Sequence, residues 1–195
     1  MTHMRLLVVA ALAALLAAAA PARADDRYEI FDFFKMFHPP AGMSMGGSGP
    51  IPRQSVSIDP KYAPGTVVIR TSERRLYYVT APGQAIRYGI GVGRDGFRWY
   101  GVKTVSAKRE WPGWTPPAQM LRRRPDLPRY MPGGIDNPLG ARAMYLGSSL
   151  YRIHGSNEPE TIGQAVSSGC FRMTNDDVVD LYNRVRVGAT VYVQQ

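Results

Sequence analysis

From Gly65 onward the chain is cut into short runs of β-branched and aromatic residues. That texture leaves little room for anything but sheet. TVVIR (66–70), RLYYVT (75–80) and AIRYGIGVG (85–93) follow one another with only TSER and APGQ between them. Such residues suit a pleated, half-buried surface, and the four-residue breaks read as turns. KTVSAKRE (103–110) predicts another strand, AMYLG (143–147) and LYRIHG (150–155) a further pair, and ATVYV (189–193) a last one. One helix stands apart. Thr174 suits an N-cap, and Asp176 and Asp177 favour the positive end of the helix dipole. Val178, Leu181, Tyr182 and Val185 recur at i, i+3, i+4 and i+7, which predicts a core-facing stripe. Gly188 is the expected C-cap. The fold class is therefore mostly β, with one long helix near its end.

The first 24 residues predict a cleaved secretory signal. Arg5 precedes an apolar run from Leu6 to Ala20, and Ala22-Arg23-Ala24 has the A-x-A form of a cleavage site. Fifteen apolar residues fall short of the roughly 20 a spanning helix needs. No cysteine lies near the cut, so a lipoprotein signal is not expected, and no later segment reads as a membrane span. Cutting 24 of 195 residues leaves 171, enough for one domain with a core. It removes two arginines and no acid, so the net charge falls from +9 to +7. A basic exported chain suits an anionic partner such as wall polymer or a membrane surface, and nucleic acid is not expected there. Residues 25–64 read as an irregular linker carrying an aromatic strip at 28–37, and His38, beside two prolines, as incidental. One folded domain is expected at 65–195.

Between the strands lies a different texture. Seven of the 16 prolines fall at positions 112–138, and Trp99, Trp111 and Trp114 lie close by. Long excursions of this kind are binding loops or structural flaps, and composition does not choose between them.

The chemistry concentrates in IHGSNEPETIGQAVSSGCFRM (153–173). It holds the chain's single cysteine, Cys170, and its only histidine beyond the signal and linker, His154. An unpaired thiol in an exported protein is a reactive group, an intermolecular partner or an inert core residue. Cysteine catalysis needs a thiolate, a base and oxyanion donors. His154 ends a strand, and Gly169 permits a sharp turn at which the Cys170 amide faces a substrate. Arg172 favours negative charge nearby, and alternation puts it on the side of Cys170 if the segment stays extended. A salt bridge from Arg172 to Asp176 or Asp177 is the structural alternative. No metal-ligand spacing appears, and neither metal nor cofactor is expected.

The run from His154-Gly155 through Ser167-Ser168-Gly169-Cys170-Phe171-Arg172 into a helix resembles the signature of the L,D-transpeptidase catalytic domain, the YkuD-like family. The resemblance implies a β-sandwich with a Pro/Trp-rich flap. It implies a peptidoglycan transpeptidase in which Cys170 takes the acyl group of a tetrapeptide stem as a thioester. His154 would be the general acid/base, oriented by the Gly155 carbonyl, with Glu158 and Glu160 as alternatives. Gly169 and Cys170 amides would hold the oxyanion, and Ser168 and Arg172 would line the substrate site, with Trp111 and Trp114 over it. Ser168 stands where many relatives have histidine. The acceptor would be a second stem or an outer-membrane protein amine, and the location the periplasm. An exported cysteine hydrolase of stem peptides and an inactive wall-binding module remain alternatives.

Overall fold

The computed structural model describes residues 49–195. The signal segment 1–24, the aromatic strip and His38 lie outside them. Eleven strands, β1 (Gln54–Ser57), β2 (Val67–Arg70), β3 (Arg75–Ala81), β4 (Gln84–Gly89), β5 (Val92–Gly93), β6 (Gly101–Glu110), β7 (Arg142–Leu146), β8 (Arg152–His154), β9 (Ala165–Ser167), β10 (Phe171–Arg172) and β11 (Thr190–Gln194), carry most of the order. Among the described residues two helices, α1 (Ala118–Arg123) and α2 (Asn175–Arg184), and a 3-10 turn (Pro159–Thr161) accompany them. Among the described residues no helix is long and apolar enough to cross a membrane.

Nine strands form one sheet in the order β1-β4-β3-β2-β11-β6-β7-β8-β10, and β5 pairs with β9. The sheet changes direction along β6. Residues 101–104 pair with β11, whereas 105–110 pair with β7. The two halves thus face each other as a sandwich. Val67, Ile69, Leu76 and Tyr88 from one half meet Met144, Leu146, Ile153 and Phe171 from the other. Val178, Leu181 and Val185 of α2 join the same cluster, with Tyr182 packed at its edge.

Thr174 caps α2 as expected, its Oγ accepting the Asp177 N–H at 3.2 Å. The helix has 10 residues and stops at Arg184, with Val185 rather than Gly188 as its C-cap. Val185 turns extended so that its side chain can enter the core, and Gly188 serves the turn into β11 instead. The run 85–93 divides into β4 and β5, because Gly91 leaves the first hairpin to pair with Arg172.

Residues 25–64 are not irregular throughout. β1 pairs antiparallel with β4, and Ile58 and Tyr62 cover Val68, Tyr77, Val79 and Ala85 on the outer face of the sheet. The reason is written in β2. Its Val-Val-Ile run is apolar on both faces, so a second cover is required. Tyr62 also accepts a hydrogen bond from Gln194 Nε2 at 2.9 Å, which ties this cover to β11. Just upstream, Arg53 reaches Asp177 of α2 at 3.5 Å.

Tyr62→Ala should therefore lower the unfolding free energy by about 3 kcal/mol in denaturant titration. A change below about 0.5 kcal/mol, the size expected of an exposed site, would return residues 58–62 to a linker.

Candidate active site

β8 and β10 lie side by side in parallel, with Ile153 opposite Phe171 and His154 opposite Arg172. Ile153 and Phe171 point into the core and are fully buried. Side chains alternate along a strand, so Arg152, His154, Cys170 and Arg172 share the other face. All four line one cavity of about 410 Å³. Residues sixteen positions apart in sequence thus reach one site through two residues of pairing.

The turn before Cys170 is tightly specified. Gly169 has φ +105°, and a Cβ there would lie 2.7 Å from the Tyr151 ring and 3.1 Å from the Phe97 carbonyl. Ser167 Oγ donates to the Cys170 carbonyl at 2.6 Å and accepts the Gly169 N–H at 3.2 Å. The Gly169 amide, expected to hold the oxyanion, is thereby engaged within the turn. Trp99 donates from Nε1 to the Gly169 carbonyl at 2.9 Å and stacks on Tyr151 with ring centroids 4.5 Å apart.

His154 is buried, and its Nδ1 lies 2.6 Å from the Gly155 carbonyl. A carbonyl only accepts, so Nδ1 carries the proton and Nε2 is left with its lone pair. The next strand grips Gly155, whose N–H donates to the Arg142 carbonyl at 3.0 Å. Asn175 Oδ1 accepts from the Ala141 amide at 2.9 Å and sits where a Gly155 Cβ would go, at 2.4 Å. The carbonyl that orients the imidazole is therefore wedged between two chain segments and the first residue of α2.

Burial pushes the His154 pKa down to about 4, and the cations Arg172 and Arg152 push the same way against the Gly155 hydrogen bond. Burial also raises the Cys170 thiol above its ordinary value. Arg152 and Arg172 oppose that rise without overcoming it. Arg172 thus acts in the expected direction, but desolvation wins, and the resting pair is a neutral thiol and a neutral imidazole. The thiol donates weakly to the Leu150 carbonyl at 3.6 Å.

Arg172 forms its ion pair with Glu158 at 2.7 Å rather than with Asp176 or Asp177. Glu158 therefore serves Arg172, while His154 Nδ1 has the Gly155 carbonyl. Ser168 lines the cavity. The flap supplies its far wall through Trp114, Met120 and Leu139. Trp111 is not part of that wall. It is 44% exposed, with φ +40°, and its amide holds the flap base through the Ala141 carbonyl at 2.8 Å. Sequence reasoning passed over Arg152, Tyr151, Ser167 and Asn175. Arg152 alone had a legible signal, as it stands two residues before His154 on one strand.

Residues 64–193 match the family model of the L,D-transpeptidase catalytic domain. The probable L,D-transpeptidase ErfK/SrfK of Escherichia coli (strain K12) is 40% identical over 136 residues, covering 65% of this chain and 43% of that protein. The chain thus spans less than half the length of that curated relative. A solved Brucella melitensis protein described as a probable carnitine operon oxidoreductase is 45% identical, with a TM-score of 0.50 over 74% of this chain and 93% of its own. L,D-transpeptidase 3 from Mycobacterium tuberculosis shares the fold, with a TM-score of 0.55 at 17% identity, covering 67% of this chain and 60% of that one.

The neutral resting pair has a direct readout, because Cys170 is the only thiol. Its alkylation by iodoacetamide should be slow at pH 7. The rate should keep climbing beyond the range in which a free thiol, of pKa about 8.5, levels off. A plateau already reached below pH 7 would instead show a preformed thiolate–imidazolium pair.

Proposed function

Because the chain belongs to the L,D-transpeptidase catalytic-domain family, we propose that it is a peptidoglycan L,D-transpeptidase working through Cys170 and His154. The observation that carries this reading is the imidazole held by the Gly155 carbonyl in the same cavity as the chain's single cysteine. With a pKa near 4, His154 is in its basic form at neutral pH. It has no standing thiolate to neutralise, so it acts when a substrate arrives.

The donor is a tetrapeptide stem, attacked at the carbonyl of its third residue. As the Cys170 sulfur bonds to that carbon, the thiol proton passes to His154 Nε2. The tetrahedral oxyanion falls to the Cys170 N–H, since the Gly169 N–H is engaged by Ser167. Collapse breaks the C–N bond, and His154 returns its proton to the departing amine of the terminal D-residue. A thioester remains. An amine of a second stem, or of a wall-attached protein, then attacks it. His154 takes the proton released from that amine and passes it to the sulfur as the C–S bond breaks, so the sulfur leaves as the thiol and the imidazole is neutral again. The flap wall formed by Trp114 and Met120 covers the acyl group during this exchange. Residues 1–24 act as the export signal and are removed after about Ala24, and the enzyme works in the periplasm on the wall. Residues 65–195 form the catalytic domain, which β1 and the 58–62 segment complete.

Purified protein incubated with tetrapeptide-bearing muropeptides should release D-alanine and form cross-linked dimers. Cys170→Ala and His154→Ala should each reduce that by at least about 1,000-fold in protein whose near-ultraviolet circular dichroism shows the fold retained. Tripeptides without dimers would make water the acceptor, and unchanged muropeptides would leave a wall-binding module. A carbapenem should add once to Cys170, and much more slowly in His154→Ala, as read by intact-protein mass spectrometry.

A further inference from the structure

The cavity is lined by Arg123, Arg152 and Arg172 and by no aspartate or glutamate. A site so built is prepared for an anion, but its three cations are not equivalent. Arg172 is already paired with Glu158. Arg123 is exposed at the rim, where its guanidinium lies 5.7 Å from the Phe97 ring. Arg152 is half-buried beside the thiol, and among the described residues no carboxylate pairs with it. Its Nε is buried without a hydrogen-bond partner, and its guanidinium lies 5.2 Å from the Tyr145 ring. An orphaned buried donor costs about 1–3 kcal/mol, a cost that an anionic ligand removes.

We propose that Arg152 receives the free terminal carboxylate of the donor peptide, so that the site selects stems ending in an acid. This rests on the transpeptidase reading above. The geometry follows from the reaction. The carbonyl carbon under attack must touch Cys170, and the terminal carboxylate of a one-residue leaving group lies within about 5 Å of that carbon. Arg152 precedes His154 by two residues on β8, and the β8–β10 pairing sets it beside Cys170. Its planar fork suits a carboxylate bidentately. The contact made with the donor leaves with the D-residue, so the thioester keeps no claim on Arg152. A donor capped as an amide lacks the charge and leaves the guanidinium unpaired.

Equilibrium binding to Cys170→Ala protein tests this without chemistry. Two tetrapeptide donors are compared, one with a free acid terminus and one with a terminal amide. The acid should bind about 10- to 100-fold more tightly, the range of a charge-assisted hydrogen bond. Adding Arg152→Met should bring the ratio close to one, and Arg152→Lys should keep part of it, with near-ultraviolet circular dichroism confirming the fold. A ratio near one in the Arg152-bearing protein overturns the proposal, even if Arg152→Met does not fold. A ratio retained in folded Arg152→Met overturns it equally. Failure of the unmodified protein to release D-alanine counts against the transpeptidase reading alone, because the binding ratio is still measured.

Discussion

β8 and β10 pair in parallel over only two residues, and the side-chain period of two on each strand does the rest. Ile153 and Phe171 anchor the pair in the core, which leaves His154, Arg152, Cys170 and Arg172 no choice of face. A slip of one residue would send the cysteine inward and a phenylalanine into the cavity. Several contacts prevent that slip. Met173 donates to the His154 carbonyl at 2.8 Å, Gly91 and Arg172 exchange backbone hydrogen bonds at 2.9 Å, and the Thr174 cap fixes where the helix begins. Cys170 and His154 are thus positioned by the same contacts that end a strand and start a helix.

The electrostatics of the site follow from desolvation before charge. Two arginines beside a thiol would ordinarily favour the thiolate, yet burial of both Cys170 and His154 holds each neutral. A neutral thiol is a poor target for adventitious oxidants, which attack the anion. In the transpeptidase reading proposed above, activation waits until substrate excludes solvent and gives the proton somewhere to go. Trp99, clamped between Tyr151 and Phe171 and bonded to the Gly169 carbonyl, keeps the turn rigid while this happens.

Much of this was legible in the residues. The strand runs, the capped helix and its apolar stripe are local patterns, and Cys170 and His154 stood out by being single. What stayed hidden depends on tertiary packing. β10 is two residues long and exists only because β8 and Gly91 flank it. β1 and the Ile58–Tyr62 cover lack periodicity of their own, although the two-faced apolar run in β2 required them. The engagement of the Gly169 amide by Ser167, and of Arg172 by Glu158, turns on side-chain geometry within a loop, which spacing does not specify. Trp111 and Trp114 look alike in sequence. Trp111, at positive φ, stays largely exposed while its neighbour lines the cavity.

β11 occupies the middle of the nine-stranded sheet, between β2 in parallel and β6 in antiparallel register. Thr71 donates to the Gln194 carbonyl across 123 positions of sequence. The central strand is therefore later in the chain than every strand it joins. Until it arrives, β2 and β6 each present a row of unpaired backbone groups, and neither half can close its face of the core. Contacts this distant in sequence form slowly, because the intervening chain must be ordered before they return any stability. The β2–β4 hairpins can form early, but the sandwich is assembled around its last strand. The folding transition is thus gated by one long-range event, and the half-formed sheet before it is the species most open to mispairing with another chain.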